Sequence, residues 1–161
     1  MLCVFAFASG ADAASDAVCH PATSVAAVAA AAHIEPADIR ITTSLGNNGM
    51  PQCTFAPRDH AGDPSVKINI DSGPQARYRL DRAVTEASQI FGVPPPGWHP
   101  PIGLNGLGPD ASWFPELGAL MALSGSGIDL LTVDVSWPRA PRKAKIALAR
   151  RIIVPFRRHH G

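Results

Sequence analysis

The run Thr23-Ser-Val-Ala-Ala-Val-Ala-Ala-Ala-Ala-His33 is dominated by the strongest helix former, and Pro21 with Thr23 or Ser24 offers a start signal. A first helix is therefore predicted there, stopped by Pro36, which cannot continue it. Ile39-Arg-Ile-Thr-Thr43 then alternates apolar and polar, the period of a half-buried strand. Gly46-Asn-Asn-Gly49 supplies residues that tolerate positive φ in a tight turn, and Gln52-Cys-Thr-Phe55 returns as the partner strand. Val66-Lys-Ile-Asn-Ile70 alternates again as a third strand.

A second helix is predicted from about Pro74 to Phe91, with Tyr78, Leu80, Ala83, Val84, Ala87, Ile90 and Phe91 lining its inner face. Gly92 and Pro94 end it. Residues 93–101, Val-Pro-Pro-Pro-Gly-Trp-His-Pro-Pro, are too proline-rich for a helix or a central strand and read as a linker. Beyond it lie strands at Ala111–Phe114, Ala119–Leu123 and Asp129–Ser136, the last two joined by a Ser124-Gly-Ser-Gly127 turn. A third helix runs from about Arg142 to Phe156, with Ala144, Leu148, Ile152 and Phe156 on one face. The fold class expected is α+β, in the order α-β-β-β-α-β-β-β-α, with an antiparallel sheet, helices packed on one face and one disulfide.

The predicted organisation is a signal peptide over residues 1–13, one domain over 14–158, and a tail over 159–161. The domain reads as two halves, 19–92 and 102–158. At 161 residues, 46% hydrophobic and 17% charged, the chain has material for one ordinary core and is too apolar for a disordered chain. No apolar run reaches the roughly 20 residues a membrane-spanning helix needs. The apolar run Leu2–Ala8 leads to Ala11-Asp12-Ala13, the small-x-small pattern of a signal-peptidase site, so the mature chain is expected to start at Ala14 and to be periplasmic or secreted. No cationic region precedes the run, which points to a true start further upstream. Removal of Cys3 leaves Cys19 and Cys53. In an exported protein such a pair is expected as a disulfide, contributing about 3–4 kcal/mol through loop closure. The close Cys or His pairing of a zinc site is lacking.

Candidate chemistry is sparse. The glycines at 103, 106 and 108 lack the lysine and following helix of a phosphate-binding loop. Ser124-Gly-Ser-Gly127 joins two strands, unlike a nucleophile elbow. His20, His33, His60, His99, His159 and His160 show no metal-ligand spacing, and no cofactor is expected. Trp98 and His99, an aromatic and an imidazole on a rigid loop, are the candidate ligand contact. Nothing in their spacing forces Asp110, Asp129 and Asp134 together. Eight of the fourteen Lys and Arg residues follow Pro138 with no acid among them, leaving the rest of the chain net negative. Arg142, Lys143, Lys145, Arg150 and Arg151 therefore form a candidate surface for anionic lipid or another polyanion. Nucleic acid is disfavoured, because export removes it and no aromatics interleave the basic residues.

Three segments, Gly106-Leu-Gly-Pro-Asp-Ala-Ser-Trp113, the Leu120–Val135 hairpin and Lys145-Ile-Ala-Leu-Ala-Arg150, resemble an uncharacterised family of secreted, often lipid-anchored actinobacterial envelope proteins. That family pairs a Gly-Leu-Gly-Asp-Ala-like turn with an aromatic, a hairpin and a final alanine-rich helix. It also places cysteines where Cys19 and Cys53 stand. The chain departs from it in having no lipidation cysteine and in reading His20-Pro21-Ala22 where the family is more apolar. The resemblance implies an envelope location and an α+β fold, and carries over no catalytic residue. The function expected is a non-enzymatic envelope module binding a ligand, lipid or partner. The alternatives are a small exported hydrolase built around His99 and Asp110, and a polyanion-binding protein acting through the basic third helix.

Overall fold

A computed structural model describes residues 21–46, 49–59, 63–89, 93–108 and 110–159. Its helices are α1 (Pro21–Ala32), α2 (Ala76–Ser88) and α3 (Arg142–His159), with a short 3-10 turn at Pro36–Asp38. The strands are β1 (Ile39–Leu45), β2 (Pro51–Pro57), β3 (Ser65–Ser72), β4 (Ile102–Gly103), β5 (Ala111–Phe114), β6 (Ala119–Leu123) and β7 (Asp129–Ser136). They form one antiparallel seven-stranded sheet in the order β1-β2-β3-β7-β6-β5-β4. The α+β class is as the sequence predicts. The order of elements differs by one strand: β4 pairs Ile102 with Trp113 and Gly103 with Ser112. Two residues squeezed between Pro101 and a glycine-rich turn are too few to show an alternating pattern. The two predicted halves share a single sheet, because β3 pairs with β7 along its whole length, from Ser65↔Ser136 to Ser72↔Asp129.

The pleat sorts the side chains. One face carries Cys53 and Phe55 of β2, Val66, Ile68 and Ile70 of β3, and Leu131, Val133 and Val135 of β7. Leu120, Ala122, Ala111 and Trp113 continue it, and all are buried in the main core. α1 and α3 cover this face and touch each other. α1 can lie close because its buried residues are small: Ser24, Ala27, Val28 and Ala29. It ends with His33 at φ 58 and the Ile34 N–H donating to the Ala29 carbonyl at 3.1 Å, a left-handed cap. α3 buries Leu148, Ala149, Ile152, Ile153 and Phe156, a wider stripe than the predicted one, while Ala144 is only half-buried.

The expectation that all helices share one face is corrected. α2 lies on the opposite face, where Ala76 and Leu80 join Leu123 of β6 and Leu130 of β7 in a separate small core, with Met121 and Val84 at its edge. Leu130 and Leu123 are paired neighbours pointing away from Leu131 and Ala122, so the second patch is a direct result of alternation. α2 is correspondingly narrow in its buried stripe. Tyr78, predicted inward, is 62% exposed. Ion pairs from Arg77 to Asp110 and from Arg79 to Asp71 tie α2 to the sheet and to the turn before β5. Among the described residues no helix is long and apolar enough to cross a membrane. Cys19, His20, the segment 1–13, His60, Ile90, Phe91, Pro109, His160 and the last residue lie outside the described residues, so the predicted Cys19–Cys53 bridge and the signal segment fall there as well.

Candidate functional site

The predicted linker is an ordered turn. Pro95-Pro96-Gly97-Trp98 closes with the Trp98 N–H donating to the Pro95 carbonyl at 3.1 Å, and Gly97 takes φ 84, as the third residue of a type II turn must. Trp98 is half-buried and His99 exposed. The His99 backbone N–H donates to Glu116 Oε1 at 3.1 Å. Glu116 sits in the tight β5–β6 turn, where Leu117 N–H reaches the Phe114 carbonyl and Gly118 N–H the Pro115 carbonyl. Glu116 therefore staples the proline-rich segment to the hairpin.

Three cavities meet at Pro115 and Glu116. The first, about 230 Å³, is walled by Glu86, Ala87 and Gln89 of α2, by Trp98 and His99, and by Phe114 and Leu117. It is mostly apolar. A second, about 420 Å³, shares His99, Pro115 and Glu116 and is completed by Trp113 of β5 with Arg142 and Lys145 from the first turn of α3. A third, about 310 Å³, continues past Leu117 and Lys145 to Asp134 and Trp137. Together they form a groove around the β5–β6 turn that is apolar towards α2 and cationic towards α3. Trp113 is 1% exposed, and its indole Nε1–H finds no acceptor among the described residues. Buried polar groups are ordinarily paired, so this one stands out. Asn69 Oδ1, on the opposite sheet face, is the other described buried atom without a partner.

The five basic residues of the predicted polyanion surface occupy different settings. Arg142 and Lys145 line the groove. Lys143 is exposed. Arg150 donates to the Asn105 carbonyl, as Arg157 does to that of Leu107, so both clamp the glycine-rich turn between β4 and β5. Arg151 lines a separate cavity with His33 and Trp137 at the α1–α3 junction.

The three aspartates do not converge. Asp110 pairs with Arg77 and is absent from the cavities that His99 lines. Asp134 is 3.6 Å from Lys67 Nζ, with burial holding its carboxyl above the ordinary range and Lys67 opposing that shift. Asp129 closes the β6–β7 turn, its N–H donating to Ser124 Oγ at 3.2 Å. Ser124 and Ser126 hydroxyls lie 3.0 Å apart, as a turn rather than a nucleophile. Among the described residues no cluster of His, Cys, Asp or Glu could hold a metal ion.

Trp98 and His99 are therefore brought together with Glu116, Trp113, Arg142 and Lys145. Glu116 and Trp113 were not singled out by sequence as ligand contacts. Their signal, a carboxylate in a Pro-x-Leu-Gly turn and an aromatic on a short strand, is shared by many structural residues. No known family model, curated protein or solved structure matches the chain.

Proposed function

We propose that this chain is an exported envelope protein that works as a non-enzymatic binding module, and that the groove around Pro115–Glu116 is where its ligand sits. The observation that carries this reading is the cavity of about 230 Å³ beneath Trp98 and His99, apolar and bounded by a rigid type II turn. Such a concavity with a few convergent polar groups is the usual form of a small-molecule site. The adjoining cavity brings the groove into the size range of about 300–1,000 Å³ typical of ligand pockets. The ion pair of Asp110 with Arg77 takes Asp110 away from His99, against a hydrolase site built on those two residues.

Export is supported by the small-x-small pattern at Ala11–Ala13 and by the resemblance to envelope proteins. A bridge between Cys19 and Cys53 belongs to the same proposal. Cys53 is fully buried beside Phe55 and Ile68. Peptide mapping of native protein should recover Cys19 linked to Cys53 with Ala14 as the first residue. Two free thiols on a chain that retains residues 1–13 would reject the location.

The binding reading is tested with a neutral fluorescent naphthylamine probe, against which Trp98→Ala and Leu117→Asp should each lower affinity about fivefold or more, as expected for lost apolar contact. Unchanged affinity in both variants, with native stability, would remove the groove as the site.

A further inference from the structure

We propose that the α3 side of the groove is an anion subsite, so that the ligand is an amphiphile whose apolar chain enters the Trp98 cavity and whose carboxylate or phosphate head is held by Trp113, Arg142 and Lys145. The inference rests on the ligand-site reading above and names the chemistry that the site selects.

Three independent observations converge. The first is charge without a partner. Lys67, Arg77, Arg79 and Arg82 are each paired with a carboxylate, whereas Arg142 and Lys145 have no ion pair among the described residues. Both nonetheless line the same cavity, and Lys145 is half-buried there. The second is a donor without an acceptor. Trp113 lines that cavity, is 1% exposed, and its indole N–H is unpartnered. Tryptophan is a donor only, so the group that completes it must accept a hydrogen bond. The third is continuity: His99, Pro115 and Glu116 belong to both the apolar and the cationic cavity. One molecule can therefore reach from one to the other.

The lining also contains one carboxylate, Glu116, whose Oε1 already accepts the His99 N–H. Two cations against one carboxylate leave an excess positive charge, which a monoanionic head neutralises. The head receives the Trp113 N–H and charge-assisted donors from Arg142 and Lys145. The opposite end, with Phe114, Leu117 and Ala87, is lined by no Lys or Arg, and its Glu86 carboxylate would repel a second anionic head. The arrangement selects a single-headed anionic amphiphile over a neutral lipid or a free anion.

The test is calorimetric titration of the full chain with octanoate, octanol, octyl phosphate and inorganic phosphate. Octanoate and octyl phosphate should each bind about tenfold tighter than octanol, the discrimination expected of hydrogen bonds to a charged group. Inorganic phosphate should bind far more weakly than octyl phosphate. The double variant Arg142→Gln with Lys145→Gln should shrink the octanoate-to-octanol ratio to about twofold or less, and Trp113→Phe should lower it about fivefold while keeping the ring. Equal affinity for octanol and octanoate, unmoved by the double variant, overturns the anion subsite and leaves the apolar site standing. Inorganic phosphate binding as tightly as octyl phosphate overturns the amphiphile in favour of a free anion. Binding of neither eight-carbon ligand removes the ligand site itself.

Discussion

Leu80→Ala is the perturbation that most sharply separates a two-faced architecture from a one-faced one. Leu80 is the largest buried side chain of α2, 2% exposed, and it sits in a small cluster with Ala76, Leu123 and Leu130 rather than in the main core. The substitution removes three carbons, about 2.4 kcal/mol at roughly 0.8 kcal/mol per methylene. A cavity term adds to this, but a small cluster on an open face relaxes more than a deep core. The total expected is therefore about 2.5–3.5 kcal/mol, in the lower half of the range for buried leucines. Leu131→Ala, on the face covered by α3, should cost more, about 4 kcal/mol. Urea denaturation gives the two totals, and native-state hydrogen exchange shows where each acts. In Leu80→Ala the amides of Ala76–Ser88 should lose protection before those of α1, because among the described residues α2 is held mainly by this cluster and by the Arg77 and Arg79 ion pairs. A loss below about 1 kcal/mol, or α2 amides as protected as before, would refute the placement of α2.

Other consequences follow from single positions. Gly118 has φ 62, and a Cβ there would lie 3.0 Å from the Val135 carbonyl oxygen, so Gly118→Ala should cost about 1–2 kcal/mol in denaturant midpoint. Gly127→Ala, at φ 76 but in open space, should cost less, and equal losses would argue against the close approach. His33 takes the left-handed conformation at the end of α1 with φ 58, so His33→Gly should stabilise by about 0.5–1 kcal/mol, and a destabilised variant would contradict that cap. Burial raises the Asp134 carboxyl above its ordinary value of 3.8, so the folded chain holds that proton more tightly than the unfolded chain. Its buried charge therefore costs nothing at pH below the ordinary value and its full amount once pH passes the raised one. The stability of Asp134→Asn relative to the natural chain should accordingly rise between about pH 3 and pH 7, and a falling difference would show the Lys67 attraction to dominate.

The strands and helices were legible where periodicity was long enough to count. Ile39–Thr43, Val66–Ile70 and Leu131–Val135 alternate, and α3 repeats Leu148, Ile152 and Phe156 at helical spacing; each became the helix or strand expected, although β1 is not half-buried, since Ile41 is 44% exposed and only Ile39 is buried. β4 was illegible because two residues carry no period. The side on which α2 packs was illegible for a different reason. Leu123 and Leu130 are apolar, as are their neighbours Ala122 and Leu131, so β6 and β7 are buried on both faces at that end and local pattern does not say which helix meets which face. Tyr78 was assigned inward by the same ambiguity. Of the candidate site, Trp98 and His99 stood out because proline and glycine fix their loop. The approach of Arg142 and Lys145 to that loop depends on the end of β5 and the turn after it lying near the start of α3, which is a property of topology. The basic residues that looked like one surface are divided by the same topology, Arg150 and Arg157 being held by the turn at Asn105–Leu107.

The most direct measurement is the set of indole N–H resonances of Trp98, Trp113 and Trp137 in ¹⁵N-labelled protein, followed while octanoate and then octanol are added. The account predicts that octanoate moves the Trp113 resonance downfield as its indole N–H gains an acceptor, with Trp98 shifting as the chain enters beside it. Octanol should move Trp98 and leave Trp113 near its starting position. A Trp113 resonance that stays fixed at saturating octanoate would contradict the account.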